Sequence, residues 1–195
     1  FFILVLLTSL GQLFSCTLVG YSLARYDFWW NKILFGVVIL ILLVPPQTIF
    51  IPLFLNFRFF NLFGIFPGSG FNLLNSLWPF VLLSFTATGL KNGLYIYIMR
   101  QFFRGMPQGL EEAAYVDGAG PFKTFFLIML PGAVPALLIV FLFSFVWQWN
   151  DLFYTELFIP NTKVLSLTLL DAANQYSQYH REIYNEFIPE KEYTI

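Results

Sequence analysis

The chain has 195 residues, of which 58% are hydrophobic and only 11% are charged, and its formal net charge is −1. An ordinary globular chain carries about 25% charged residues, so the composition excludes a disordered chain and argues against a soluble domain, which needs a charged shell. It gives no indication of a nucleic-acid partner and predicts a polytopic membrane protein.

Four apolar segments are each long enough to cross a lipid bilayer as a helix, which takes about 20 residues. The predicted spans lie at about 1–24, 33–56, 76–99 and 132–154. A transmembrane barrel would alternate apolar and polar residues, and the run 33–44 does not alternate. A non-alternating span must satisfy its backbone internally, so the predicted fold class is all-α, with residues 1–195 forming one transmembrane domain.

The second span contains Pro45, Pro46 and Pro52, which remove backbone donors and should kink the helix. Gln47 and Thr48 lie beside these prolines. Their side chains either line a solute pathway or satisfy the carbonyl groups that the prolines leave free.

Lys91 and Asn92 lie within the third span, between Gly89 and Gly93. A charge inside a membrane is expensive and marks a functional site by default, and the glycine pair predicts a broken helix, as at transporter substrate sites. The functional interpretation places Lys91 and Asn92 on a substrate path. The alternative is that Lys91 lies in a watery cavity or reaches the membrane interface, and stabilises packing alone.

The segment 100–131 is predicted to form a helix–turn–helix at the membrane surface. Pro107 suits the first turn of a helix, and Glu111 and Glu112 lie early in it, where the helix dipole favours negative charge. Gly118 ends this helix because glycine tolerates positive φ, and a second helix follows. Glu111 is expected to belong to a solvated face.

Basic residues in short loops predict orientation, because they favour the cytoplasmic side. Five of them fall in loops on one side of the predicted spans: Arg25, Lys32, Arg100, Arg104 and Lys123. The opposite side has Arg58 and, near the end of the fourth span, Lys163. The loop 100–131 is therefore predicted to be cytoplasmic, and residues 57–75 and 155–195 are predicted to be loops that face outward.

Asn150 and Asp151 end the fourth span near its outer side, where they either contact the solute or cap the helix. The single cysteine, Cys16, and the single histidine, His180, offer no set of metal ligands. Lys91 is the one charge deep within a predicted span, whereas an enzyme would need convergent acids and bases. The sequence therefore predicts neither a catalytic site nor a metal site.

Seven positions within 20 residues of the cytoplasmic loop fit a fixed pattern. They are Glu112, Ala113, Ala114, Gly118, Ile128, Leu130 and Pro131. This pattern resembles the EAA loop of the membrane subunits of ABC importers. Weaker matches at Val44-Pro45 and 149–151 look like the carbohydrate branch of that family, the maltose- and glycerol-3-phosphate-type permeases.

The resemblance implies a type I ABC importer permease in a prokaryotic inner membrane, transporting sugars or sugar derivatives. Glu112 would lie on a coupling helix that docks on a separate ATPase, and would pair with a basic residue of that subunit. Ala113 and Ala114 would pack in the ATPase cleft, and Gly118 would permit the turn. ATP and Mg would be bound by the ATPase, so no cofactor is expected in this chain. Further partners would be a second permease subunit, forming a heterodimer, an extracytoplasmic solute-binding protein and the lipid bilayer.

The sequence contains no Gly-x-x-x-x-Gly-Lys-Ser/Thr phosphate loop, which predicts that ATP is hydrolysed by another chain. The competing interpretation is an ATP-independent carrier or channel, which would not need a surface motif for docking a motor. Members of the resembled family usually have six spans. One span is therefore expected before residue 1 and one after residue 195, so that the fold is incomplete at both ends; the alternative is a shortened protein with a genuine tail.

Overall fold

The computed structural model of the chain describes residues 1–61, 70–89, 91–159 and 165–187, without the side chains of 46, 47, 165–167, 170 and 185–187. These ranges form an all-α fold, as predicted, and the one strand-like pairing among them is an isolated bridge between Phe60 and Phe71. The helical elements are α1 (Phe2–Arg25), α2 (Asn31–Leu43), a 3-10 turn (Pro46–Ile49), α3 (Phe50–Arg58), α4 (Trp78–Phe85), α5 (Asn92–Gly105), α6 (Gly109–Val116), α7 (Pro121–Thr124), a π-helical turn (Phe125–Met129), α8 (Leu130–Gly132), α9 (Val134–Trp149), α10 (Phe153–Phe158) and α11 (Leu165–Phe187).

Helix α1 is the central helix and packs against α4, α5 and α9. A Cβ atom added at Gly20 would lie 2.7 Å from Met99 Cβ and 3.0 Å from the backbone nitrogen of Arg100, so glycine allows α1 and α5 to approach closely. The Ser15 hydroxyl donates to the Ser84 carbonyl of α4 at 2.6 Å. Small residues and polar contacts of this kind are typical of helix pairs inside membranes.

Two of the predicted spans are broken where the sequence has proline and glycine. The second span ends as a helix at Leu43, and a 3-10 turn follows Pro45, as the loss of backbone donors predicts. Thr48 Oγ donates to the Pro45 carbonyl at 2.8 Å, so this hydroxyl helps to satisfy a carbonyl at the break. The third span divides into α4 and α5, and the Asn92 N–H bonds to the Gly89 carbonyl at 2.9 Å across the gap.

The fourth predicted span begins with a sharp bend. Pro121–Gly132 and Val134–Trp149 are two helical stretches inclined at 75°. Within the described ranges, α1 has the length and composition to cross a membrane, and this bent pair is a second candidate if it counts as one span. The four crossings stay a prediction, because the middle spans are divided into shorter helices.

Helix α11 lies within residues 155–195, the segment that the sequence analysis predicts to face outward. The segment 165–187 contains neither proline nor glycine, and its alanine, leucine, glutamine and glutamate residues are good helix formers. Tyr176 and His180, one helical turn apart, are joined by a hydrogen bond of 2.8 Å. The sequence-based prediction assigns no helix to this segment, and its position outside the membrane stays a prediction.

Two clusters of buried apolar side chains hold the helices together. The first surrounds the second half of α1 and includes Tyr21, Tyr95, Met99, Phe103, Phe125 and Met129. The second surrounds the start of α1 and includes Leu4, Val5, Phe57, Phe80 and Phe158. Other apolar side chains stay on the outside, such as Leu40 of α2 at 59% exposure and Leu142 of α9 at 58%. An exposed apolar exterior of this kind suits contact with lipid or other subunits.

Candidate functional site

The EAA-like loop forms the predicted helix–turn–helix, with α6 as its first helix. Glu112 and Ala113 are exposed, whereas Ala114 is the residue that α6 buries, at 4% exposure. The side chain of Glu112 has no hydrogen-bond or ion-pair partner within the part of the chain that the structure describes. A free carboxylate in the first turn of a helix is stabilised by the helix dipole and is available to another molecule.

Gly118 makes the turn after α6. Its φ is +79°, in the left-handed region where side chains are strained, and its N–H bonds to the Tyr115 carbonyl at 3.0 Å. The next N–H, of Ala119, bonds to the Ala114 carbonyl at 2.9 Å. Among the described residues other than its chain neighbours, no atom lies within 4 Å of a Cβ built at Gly118, so the turn requires glycine for its backbone conformation rather than for space.

The last three motif residues hold the loop on the helical core. Ile128 and Leu130 are partly buried against the first apolar cluster, whereas Pro131 is exposed at the start of α8. Proline has no N–H to continue the α-helical pattern, and the preceding N–H, of Leu130, bonds five residues back to the Phe125 carbonyl. This π-helical turn is the local cause of the irregular path between α7 and α9.

Glu111 is not part of a solvated face, and that prediction is wrong. The Tyr21 hydroxyl donates to Glu111 Oε1 at 2.7 Å, and Arg25 Nε lies 3.5 Å from Glu111 Oε2. The side chains of Arg25 and Glu111 are 6% and 12% exposed. Arg25 also donates through Nη2 to the Met106 carbonyl at 2.8 Å, beyond the end of α5. The sequence gives no signal for these contacts, because Tyr21 and Glu111 are 90 residues apart.

A polar cavity of about 60 Å³ lies between α1, the break from α4 to α5, and the helices α9 and α10. Its wall includes Gln12, Lys91, Gln148 and Asp151, together with apolar side chains. The Lys91 ammonium also lies 4.7 Å from the centre of the Trp147 ring, within the range of a cation–π contact. The cavity therefore offers a cation, a carboxylate and two amides in one place.

The structure places some predicted pathway residues on this cavity and others away from it. Lys91 and Asp151 line it. Asn92 is fully buried in the helix break, where its Nδ2 donates to the Leu83 carbonyl at 3.1 Å. Asn150 is exposed, and its Nδ2 donates to the Val146 carbonyl one turn earlier at 2.8 Å. The side chain of Gln47 lies outside the described residues.

Gln12 is a cavity residue that the sequence analysis did not single out. It lies in an uncharged stretch of α1, and its Oε1 accepts a hydrogen bond from the Ser144 hydroxyl of α9. Its amide side chain within a charge-free predicted span is the sequence feature that could have identified it. Within the described ranges, no three His, Cys, Asp or Glu side chains come together as metal ligands.

Comparison with known proteins adds independent information. Residues 17–180 match the family described as binding-protein-dependent transport system inner membrane component. Three relatives are transport permeases. The alpha-glucoside transport system permease AglG of Rhizobium meliloti is 37% identical over 72% of this chain and 34% of its own. The trehalose transport system permease SugB of Mycobacterium tuberculosis is 31% identical over 75% and 48%. The melibiose/raffinose/stachyose import permease MelC of Bacillus subtilis is 30% identical over 78% and 51%.

A crystal structure of a bacterial ABC transporter involved in the import of the acidic polysaccharide alginate contains a chain with the same fold. It aligns with a TM-score of 0.62 and 23% identity, over 81% of this chain and 49% of that one. The present chain thus spans about half, or less, of the length of the relatives that it matches.

Proposed function

The chain belongs to the family of binding-protein-dependent transport system inner membrane components, and we propose that it is the permease subunit of an ABC importer for sugars or sugar derivatives. The observation that supports this most directly is the exposure of Glu112 on a short surface helix with an intact EAA-like pattern. The names of relatives such as AglG, SugB and MelC support the solute class.

The surface around Glu112 suits a protein partner. Val116 is 87% exposed and Phe122 is 83% exposed, and Leu110 is exposed at 42%. Large apolar side chains that stand out from a charged loop are covered in many proteins by another subunit. In the proposed complex this surface docks on an ATPase, which binds ATP and Mg, with Ala113 against its cleft and Glu112 paired with one of its basic residues.

The polar cavity is the proposed solute path. A sugar presents hydroxyl groups, which both donate and accept hydrogen bonds, and binding sites orient such ligands with a few placed polar groups among apolar ones. Lys91 and Gln148 supply donors, and Asp151 supplies an acceptor. Asn92 and Asn150 are proposed to act on the path indirectly, through the helix break and the end of α9.

The proposed assembly contains a pair of ATPase subunits, a second permease subunit that makes a heterodimer, and an extracytoplasmic solute-binding protein. This chain would cross the inner membrane four times, at about 1–24, 33–56, 76–99 and 132–154, with 100–131 in the cytoplasm. The basic residues on the side of α6 and the apolar exterior support this arrangement.

The proposal is tested by measuring from which side of the membrane a thiol reagent reaches α6. A cysteine replacing Val116 in the full-length protein should react with a membrane-impermeant thiol reagent in inside-out vesicles and not in intact cells. It should also crosslink to an ATP-hydrolysing subunit. Labelling from outside, or the absence of any crosslink to such a subunit, would instead favour an ATP-independent carrier or channel.

Replacing Lys91 by methionine should lower solute uptake by about tenfold or more, because hydrogen bonds to a charged group contribute about 1.5–3 kcal/mol. Methionine retains the length of the side chain and removes the charge that faces Asp151 in the cavity. Uptake at increasing solute concentrations in proteoliposomes measures the effect. Lys32→Met, the same change at an exposed position, is the control. Unchanged affinity and rate for Lys91→Met would favour a packing role alone.

Replacing Gly118 by valine should reduce solute import per ATP hydrolysed, because its positive φ costs an L-residue about 1–2 kcal/mol. Asparagine adopts this conformation more readily, so Gly118→Asn should retain more of the coupling. A Cβ at this position meets no described atom within 4 Å other than those of its chain neighbours, so a difference between valine and asparagine reports the backbone conformation of the turn. Parallel assays of import and ATP hydrolysis decide it. Wild-type coupling with valine would rule out a need for this turn.

A further inference from the structure

Glu111 and Glu112 are adjacent carboxylates on α6 with opposite environments. Glu112 points to solvent, whereas the Glu111 side chain is 12% exposed and is bound by two side chains of α1. The proposed docking of α6 on an ATPase uses Glu112 and leaves Glu111 without a role. The contacts of Glu111 with α1 therefore suggest a role within this chain.

The contacts of Glu111 connect α6 to α1 and, through Arg25, to the end of α5. We name Tyr21, Arg25 and Glu111 the Glu111 anchor. Tyr21 donates to one carboxylate oxygen at 2.7 Å, Arg25 lies 3.5 Å from the other, and Arg25 Nη2 reaches the Met106 carbonyl at 2.8 Å. Hydrogen bonds to charged groups are stronger and more directional than neutral ones. One carboxylate thus joins α6 to the end of α1 and, through Arg25, to the end of α5.

Packing provides little else to hold α6. Ala114 is the residue that this helix buries, and the turn after it contains Gly118 and Gly120. Among the described residues beyond their own neighbours in the chain, no atom lies within 4 Å of Cβ atoms built at Gly109, Gly118 and Gly120, so little packs against the backbone at these positions. Because α6 is short and buries little, its polar contacts through Glu111 are important for its position on the helical core.

The Tyr21 end of the anchor lies in the first cluster of buried apolar side chains. The Tyr21 ring lies 5.2 Å from the Phe103 ring of α5 and 4.7 Å from the Phe125 ring, all in the first apolar cluster. Gln12, nine residues earlier on α1, lines the polar cavity about 13.5 Å along the helix. The Gln12 side chain is bonded in turn to Ser144 of α9. The anchor and α1 thus connect α6 to the cavity wall.

We propose that the Glu111 anchor is the positioning device that couples α6 to α1, and hence to the polar cavity, while the neighbouring Glu112 serves docking. The inference rests on the proposed function of α6. Glu111, Tyr21 and Arg25 touch neither solute nor ATPase in this scheme, and act by making α6 and α1 move together. Coupling between sites needs a physical connection of this kind, with two arrangements that both sites influence.

The experiment compares Glu111→Gln with Glu112→Gln in the full-length permease, assembled with its partners in proteoliposomes. Capture of the ATPase subunit and solute imported per ATP hydrolysed are measured for each. Glu111→Gln should retain capture within about twofold and lower the import ratio by about fivefold or more, the usual lower range of coupling between sites. Glu112→Gln should lose capture.

Two further variants test the anchor independently of whether Glu111→Gln folds. Tyr21→Phe removes one hydroxyl and should also lower the import ratio with capture retained. The exchange of charges, Glu111→Arg with Arg25→Glu, should restore the ratio above that of either single variant. An unchanged ratio in both Glu111→Gln and Tyr21→Phe, or a loss of capture in Glu111→Gln equal to that in Glu112→Gln, would overturn the anchor. Retained capture and coupling in Glu112→Gln would instead contradict the proposed function of α6.

Discussion

Replacing Glu112 by alanine is expected to weaken binding of the ATPase subunit by at least about 30-fold. Truncating one partner of a desolvated interfacial charge pair costs about 2–5 kcal/mol, and each 1.4 kcal/mol is a tenfold change in affinity. This effect follows from the proposed pairing of Glu112 with a basic residue of the ATPase.

The same substitution should leave the permease itself folded. Glu112 is exposed, and within the described ranges no side chain bonds to it, so alanine removes no internal contact. Alanine also has the highest intrinsic helix propensity, which supports α6. Normal accumulation in the membrane, together with lost solute uptake, would therefore locate the defect at the interface with the partner.

Titration of the ATPase subunit onto the full-length permease in lipid nanodiscs measures this affinity, and uptake into vesicles measures the consequence. Glu182→Ala removes another exposed carboxylate, on α11, and changes the net charge equally. That control should bind the ATPase as the wild type does. Equal affinities for the wild type and Glu112→Ala would contradict the docking role of this residue.

The sequence predicts best those features whose causes are local. The interruptions at Pro45 and between Gly89 and Asn92 follow from missing donors and flexible backbone, and the structure has breaks at both. The turn at Gly118 is likewise a property of one residue and its φ. Such features need no knowledge of what packs against them.

Features that depend on distant partners could not be predicted in the same way. Glu111 and Glu112 are adjacent and have the same chemistry. Their environments differ because the hydroxyl of Tyr21, 90 residues earlier, donates a hydrogen bond to Glu111. Lys91 and Asn92 are also adjacent, yet one lines the cavity and the other closes the helix break. Neighbouring residues on a helix point about 100° apart, so tertiary packing decides which of them faces a site.

Replacing Gly20 by alanine is expected to destabilise the fold by about 1–3 kcal/mol, the usual cost of overpacking a close contact. The added Cβ would lie 2.7 Å from Met99 Cβ and 3.0 Å from the Arg100 backbone nitrogen. Neither atom is at the end of a flexible side chain, so α1 and α5 would have to separate. Leucine at this position should be more damaging than alanine.

Unfolding of the full-length protein by SDS in mixed micelles measures this difference, and Gly36→Ala is the matched control. A Cβ at Gly36, on α2, meets no described atom within 4 Å outside its own helix backbone, and alanine favours a helix over glycine by about 1 kcal/mol. The same chemical change should therefore destabilise the protein at Gly20 and stabilise it slightly at Gly36. Because apolar side chains gain little by leaving lipid, membrane helices associate through close backbone approach. Equal effects at the two glycines would mean that α1 and α5 do not approach as closely as their small residues allow.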